Sequence, residues 1–261
     1  MFELTGKHAL VTGAAGPLAR ALAVALAEAG ADVSVTTLYD HQQDEVQANS
    51  ILNECWAAGA KGGQAKTVDL TNPGAVEAAV NALESDVAPI DILVNAAHAA
   101  NIKPVLEASA EDWHREINRN ATSVFVASQA VGRRMVERGR GRIINLVSNV
   151  HDRGVPNCAI FGASQGAVLG FTRSLAIEWG RGEPLTEERV TVNAVGIGFY
   201  EDVPGPQNDP ELRAVLERYI PLRRLGTPAD LQGAVVYLAS DRTHYVNAEL
   251  VVVDGAIAIH A

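Results

Sequence analysis

A chain of 261 residues, 48% of them hydrophobic and 20% charged, has the length and apolar content of one globular domain and is too apolar to stay disordered. Its 21 basic residues are outnumbered by 31 acidic ones, and no Lys/Arg block offsets the net charge of −10, which argues against a nucleic-acid partner or an anionic membrane surface. Cys55 and Cys158 are too few for a disulfide framework and lack metal-ligand spacing, so no metal site is expected. Nothing approaches the run of about 18 apolar residues that reads as a membrane span. The start, MFELTGKHALVTG, lacks the pattern of a cleavable leader, and a cytoplasmic location is expected.

Short apolar, β-branched runs alternate with longer segments of helical period. The runs His8–Thr12, Asp32–Thr36, Ala65–Val68, Ile90–Asn95, Arg142–Val147, Arg189–Ala194 and Glu249–Val253 are apolar nearly throughout, as strands buried on both faces of a parallel sheet should be. Pro17 opens a helix over Leu18–Ala29 that Gly30 stops; Thr71 or Asn72 with Pro73 opens one toward Leu83; Pro228 opens one toward Leu238. The alternation implies an α/β fold: one doubly wound, Rossmann-type domain over residues 1–261, with a seven-stranded parallel sheet and helices on both faces. The proline-rich stretch Tyr200–Pro210 starts a candidate substrate loop or lid over 200–225.

Ligands in such sheets bind beyond the carboxyl ends of the strands, so the residues after each strand carry the functional reading. After the first strand, Gly13-Ala14-Ala15-Gly16-Pro17-Leu18 leads into a helix, the context in which backbone N–H groups hold a pyrophosphate. The same glycines also serve a plain tight turn, and Pro17 removes one donor. From Gly6-Lys7 to Val253-Asp254-Gly255 the chain resembles the short-chain dehydrogenase/reductase family. That family's loop reads TGxxxGxG; Thr12-Gly13 match its opening, while Pro17 and Ala19 stand at its second and third glycines and Gly16 lies one position early. The resemblance implies cofactor contacts from Thr12, Gly13, Gly16 and Leu18, from Asp69 and Leu70 after the third strand, and from Asn95 in Asp91-Ile92-Leu93-Val94-Asn95-Ala96-Ala97-His98, the counterpart of DxLVNNAG. The second strand ends Thr36-Thr37-Leu38-Tyr39 with neither the acid typical of NAD users nor the base typical of NADP users.

In the family a tyrosine handles the alcohol proton, a lysine four residues on lowers its pKa and holds the nicotinamide ribose, a serine binds the substrate oxygen and an asparagine relays the proton. Asn120 and Ser148 match the last two. Where the tyrosine and lysine belong, inside Ala159-Ile160-Phe161-Gly162-Ala163-Ser164-Gln165, stand Phe161 and Gln165. A phenyl ring has no proton to give, and an amide has no charge with which to hold the ribose. His98 and His151 are the nearby residues with acid–base chemistry near neutral pH. These losses lead to the expectation of a non-catalytic subunit of an oxidoreductase assembly. NAD or NADP is then bound weakly or not at all, and the two long helices that the resemblance implies, at about Ser109–Arg138 and Ala159–Trp179, pair together with the C-terminal strand against further copies or an active relative. The alternatives are an atypical NAD(P)-dependent dehydrogenase or reductase with a substitute proton donor, and a non-redox lyase or hydratase built on His98 or His151.

Overall fold

In a computed structural model of the chain, which describes residues 2–14, 16–181 and 189–260, seven strands form one parallel sheet in the order β3-β2-β1-β4-β5-β6-β7. They are β1 (His8–Thr12), β2 (Asp32–Thr36), β3 (Ala65–Lys66), β4 (Ile92–Asn95), β5 (Gly141–Ser148), β6 (Val190–Ile197) and β7 (Leu250–Val253). The doubly wound arrangement is as expected, and the order reverses at β1, between β2 and β4.

The departures from the expected ends are local and have visible causes. β3 stops two residues early because the Thr37 hydroxyl takes over the pairing: Val68 N–H donates to Thr37 Oγ1 at 2.9 Å, and the hydroxyl donates to the Val68 carbonyl at 3.2 Å. β4 starts at Ile92 because the Ile90 N–H is bound by Glu84 Oε1 at 2.9 Å. β6 runs three residues beyond Ala194 because β5 and β7 both pair with it through Ile197.

The helices are α1 (Pro17–Glu28), α2 (Gln42–Ala57), α3 (Pro73–Asp86), α4 (Ala110–Ile117), α5 (Ser123–Arg138), α6 (Ala159–Gly180), α7 (Pro210–Tyr219) and α8 (Gln232–Ala239). α2 is mostly polar and its N-cap His41 makes no side-chain cap, so it carries little sequence signal. The long helix expected at 109–138 opens on a reciprocal Ser109–Asp112 cap and ends at Gly139, whose φ of 72° suits a glycine. Its middle is a π-helical turn over Asn118–Thr122 that separates α4 from α5. The stretch after Pro228 begins as a 3-10 turn before α8, and the 200–225 region contains α7, capped by Asp209.

The core has two layers. Leu18, Leu22 and Leu26 of α1, Ile51 of α2, and Val235 and Leu238 of α8 pack on one face of the sheet. Val76, Val80 and Leu83 of α3, Val131 and Met135 of α5, and Leu175 of α6 pack on the other. Among the described residues no helix is long and apolar enough to cross a membrane, and no three His, Cys, Asp or Glu side chains are grouped to hold a metal. Both thiols are buried, and burial pushes them up, to about 12 for Cys55 and about 11 for Cys158, so neither is a nucleophile near neutral pH.

Candidate active site

The parallel register sets Thr12, Asn95 and Asn145 side by side across β1, β4 and β5, all three buried. The Thr12 hydroxyl donates to Asn95 Oδ1 at 3.2 Å, and Asn95 Nδ2 donates to Asn145 Oδ1 at 2.8 Å and to Ser128 Oγ at 3.1 Å. Asn145 Nδ2 in turn donates to Thr172 Oγ1 at 2.8 Å. This connected polar row ties α5 and α6 to the sheet beneath the strand ends. Thr12 and Asn95, expected at the cofactor, support the site from this row and do not line the cleft.

Above the row opens a cavity of about 290 Å³, walled on one side by Gly13, Gly16, Pro17 and Leu18 and on the other by Ala97, His98 and Pro204. Gly13 has φ +76°, and a Cβ there would stand 2.6 Å from the Ala97 Cα, so the chain can pass only as glycine. Gly16 caps α1 with open space where its Cβ would be. Pro17 occupies a first-turn position whose N–H no helix uses, while the Leu18 and Ala19 amides remain free of intrahelical partners. Ala15 lies outside the described residues. This end of the cleft therefore fits a dinucleotide diphosphate: a close backbone approach and an open helix N-terminus.

Farther along the same edge, Leu70 is buried and its N–H donates to the Leu38 carbonyl at 3.1 Å. Asp69 Oδ1 accepts from the Thr71 N–H at 2.9 Å and hydroxyl at 2.7 Å, so this oxygen caps the turn before α3. Tyr39 follows Leu38, itself part of the cleft wall. Its hydroxyl accepts from Arg119 Nε at 2.8 Å, and the guanidinium lies 5.7 Å from the ring centre.

At the centre, Phe161 is buried, and the His98 ring meets it edge-on with centroids 5.2 Å apart. The Pro204 carbonyl beside the His98 ring favours its protonated form, but burial outweighs it and holds the imidazole neutral down to about pH 4. Pro204 is fixed by its neighbours: Val203 is buried, and Gln207 Nε2 donates to the Tyr200 and Val203 carbonyls at 2.9 and 2.8 Å.

Ser148 is pinned from both sides. Gln165 Oε1 accepts from its N–H at 2.8 Å, and His151 Nδ1 lies 2.6 Å from its carbonyl oxygen. Its hydroxyl carries none of these bonds. Gln165 is therefore directed into the end of β5. His151 meets the Ser148 backbone, so the two do not form a nucleophile–base pair. Replacing Gln165 by alanine would leave the buried Ser148 N–H unpaired; a loss of about 1–3 kcal/mol in urea unfolding is expected, and an unchanged midpoint would refute this role.

Asn120 closes the loop after β4: its Oδ1 accepts from the Ala99 N–H at 3.2 Å, and its Nδ2 donates to the Ala99 carbonyl at 2.9 Å. One turn earlier, Glu116 is fully buried, and its Oε1 accepts from Asn101 N–H and Asn120 Nδ2. Burial raises its pKa, and its Oε2 has no partner. Glu116 and Arg119 were missed from sequence; the signal available was a carboxylate four residues before Asn120 and a cation immediately before it.

With this geometry in view, comparison with known proteins identifies the framework. The family model described as enoyl-(acyl carrier protein) reductase matches residues 13–257. Gluconate 5-dehydrogenase of Gluconobacter oxydans is 34% identical, covering 99% of this chain and 97% of its own length. The 5-keto-D-gluconate 5-reductase of Escherichia coli is 32% identical, covering 99% and 98%. The crystal structure of a gluconate 5-dehydrogenase from Burkholderia cenocepacia in complex with NADP and tartrate superposes with a TM-score of 0.88 at 30% identity, covering 100% of this chain and 98% of that one. Levodione reductase superposes with a TM-score of 0.85 at 28% identity, covering 98% and 99%.

This chain belongs to the short-chain dehydrogenase/reductase family. The expectation of a non-catalytic partner subunit is corrected by these findings: relatives matching nearly the whole chain are named as working dehydrogenases and reductases, and point to a catalytic oxidoreductase. The inference from Phe161 and Gln165 rested on two positions, and the names of relatives that match the chain nearly end to end outweigh it. In this short-chain dehydrogenase/reductase the His98 ring is set against Phe161.

Proposed function

We propose that this protein is an NADP-linked oxidoreductase that interconverts an alcohol and a ketone, with His98 taking the proton role that Phe161 cannot. The observation that carries the reading is the His98 ring, packed on Phe161 in the wall of the glycine-lined cleft and held on the Pro204 carbonyl. Gly13, Gly16 and the first-turn amides of α1 would hold the dinucleotide diphosphate, and the bound dinucleotide supplies the hydride chemistry. Ser148 binds the substrate oxygen with its free hydroxyl, while Gln165 and His151 fix its backbone. In the oxidising direction the bare nitrogen of His98 takes the hydroxyl proton. Asp202 is the one carboxylate among the residues lining the cleft, and it opposes the phosphates, which supports a modest cofactor affinity.

The preference for NADP rests on Arg119. Among the described residues no carboxylate lies within ion-pair distance of it, although the chain carries a net charge of −10, and it is held by Tyr39 next to the cleft residue Leu38. A guanidinium held there by Tyr39 and not in an ion pair suits the extra phosphate of NADP. Fluorescence titration should show NADPH bound more tightly than NADH. Arg119→Ala should remove that advantage, about tenfold or more in Kd, with little effect on NADH. Failure of all nicotinamide forms to bind, or no substrate-dependent NADPH consumption across a panel of ketones that includes 5-keto-D-gluconate, would overturn the proposal.

A further inference from the structure

A second cavity, of about 700 Å³, lies beside the cleft, within the size range of small-molecule sites. Its walls are the segments that follow β4, β5 and β6: Ile102 lies four residues after His98, Val155 four after His151, and Phe199 two after β6. Pro204 faces the cleft and Pro206 faces this cavity, so one loop forms a wall of both. The cavity therefore opens at the carboxyl edge of the sheet, next to the cleft that His98 lines. Val215 and Tyr219 of α7 and Ile257 complete a largely apolar lining.

The charged groups here are arranged against an anionic or polyhydroxylated ligand. Arg153 is the one cation of the lining, and it is already engaged: its guanidinium donates to the Ile257 carbonyl, to the His260 carbonyl at 3.1 Å and to the Tyr219 hydroxyl at 3.3 Å. It also lies 5.3 Å from the centre of the Tyr219 ring. The two acids of the lining, Asp209 and Glu211, repel a carboxylate, and Asp209 is itself occupied as the cap of α7. Each sugar hydroxyl placed against Ile102, Val155, Phe199 or Ile257 would lose its water without gaining a partner. An apolar body would gain from the same contacts.

Resting on the oxidoreductase reading, we infer that the substrate is an uncharged ketone or alcohol with an apolar body, seated between α7 and the loops after β4 and β5, and not a sugar acid. The test is isothermal titration of the protein without cofactor, using β-tetralone, a bicyclic apolar ketone, and D-gluconate as probes. β-Tetralone should bind and gluconate should give no heat at millimolar concentration. Val215→Asp places a charge in the wall at a half-exposed position and should weaken β-tetralone about tenfold or more. Leu212→Asp, one turn earlier, should do the same, and the two together guard against a fold defect in either. Gluconate binding as tightly as the ketone, no binding of β-tetralone, or variants that leave its affinity unchanged would overturn the inference. Binding in the expected pattern with no NADPH-dependent turnover would leave the inference standing and refute the oxidoreductase proposal.

Discussion

His98→Ala is expected to lower kcat by a factor of about 10²–10⁴, the range that a positioned proton acceptor contributes. The expected drop lies toward the lower end, because an imidazole held neutral down to about pH 4 is a weak base at the pH where the enzyme works. The pH dependence carries the same signature. Alcohol oxidation needs the bare nitrogen, so its rate should be flat through neutrality and fall as pH drops toward 4, with no limb in the tyrosine range. Imidazole added to the alanine variant should restore part of the rate by filling the space beside Phe161, an effect that a purely structural loss would not show. A kcat for alcohol oxidation within threefold of the parent, measured at saturating oxidised cofactor and alcohol, would refute the assignment.

The sign of the linked stability effect follows from the same depression. The unfolded chain binds a proton at His98 near pH 6.5, while the folded chain resists it down to about 4. Stability is therefore full above the unfolded value and is lost as pH falls through this window. His8 acts in the same direction: it is buried between the Ala88 carbonyl and the Ser34 hydroxyl, and burial lowers its pKa as well. The His98→Ala variant should lose less stability on acidification than the parent.

The framework was legible in the sequence because it rests on repeated, local signals. Continuous apolar strands and Pro17 and Pro73 at helix starts each carry their own physical cause, and together they leave one doubly wound sheet. Motif positions also located Ser148 and Asn120 at the carboxyl edge. What motif matching could not reach was where each side chain is directed. Asp69 matches an adenine-contacting acid, yet one of its oxygens is occupied in the turn by Thr71. Thr12 and Asn95 match cofactor positions, yet their polar atoms are taken up in the row beneath the cleft. Gln165 matches a ribose-binding lysine, yet its amide is satisfied by the Ser148 backbone.

The opposite error concerns residues outside the motifs. Arg119 reaches Tyr39 across 80 positions of sequence, and no local pattern forecasts that pairing. Glu116 would be an ordinary exposed helix acid if the helix were turned by a quarter revolution. Only the packing of α4 against the loop after β4 buries it beside Asn120. His98 stands out in the sequence for its acid–base chemistry, but its contact with Phe161 depends on how the loop after β6 lies across the cleft. These are tertiary facts, and they decided the functional reading.

Gly13→Ala is expected to damage both stability and cofactor binding, for a reason the cleft makes plain. The φ of +76° at this residue costs an L-amino acid about 1–2 kcal/mol. The new Cβ would stand 2.6 Å from the Ala97 Cα and 2.7 Å from its N, and these are backbone atoms that no rotamer change can move. Relief requires β1 and the loop after β4 to separate, adding roughly 1–3 kcal/mol of overpacking. The total, about 2–5 kcal/mol, is a large part of the stability of a typical domain. Separation would also displace Ala97 and His98 from the far wall of the cleft, so the protein that remains folded should bind NADPH poorly and turn over slowly. Gly16→Ala is the matched control, since nothing lies within 4 Å of its Cβ position and its φ of −112° is open to any residue. Thermal unfolding and NADPH titration of the pair separate the effects. Equal behaviour of the two variants would mean that the approach of Gly13 to Ala97 does not shape the cleft.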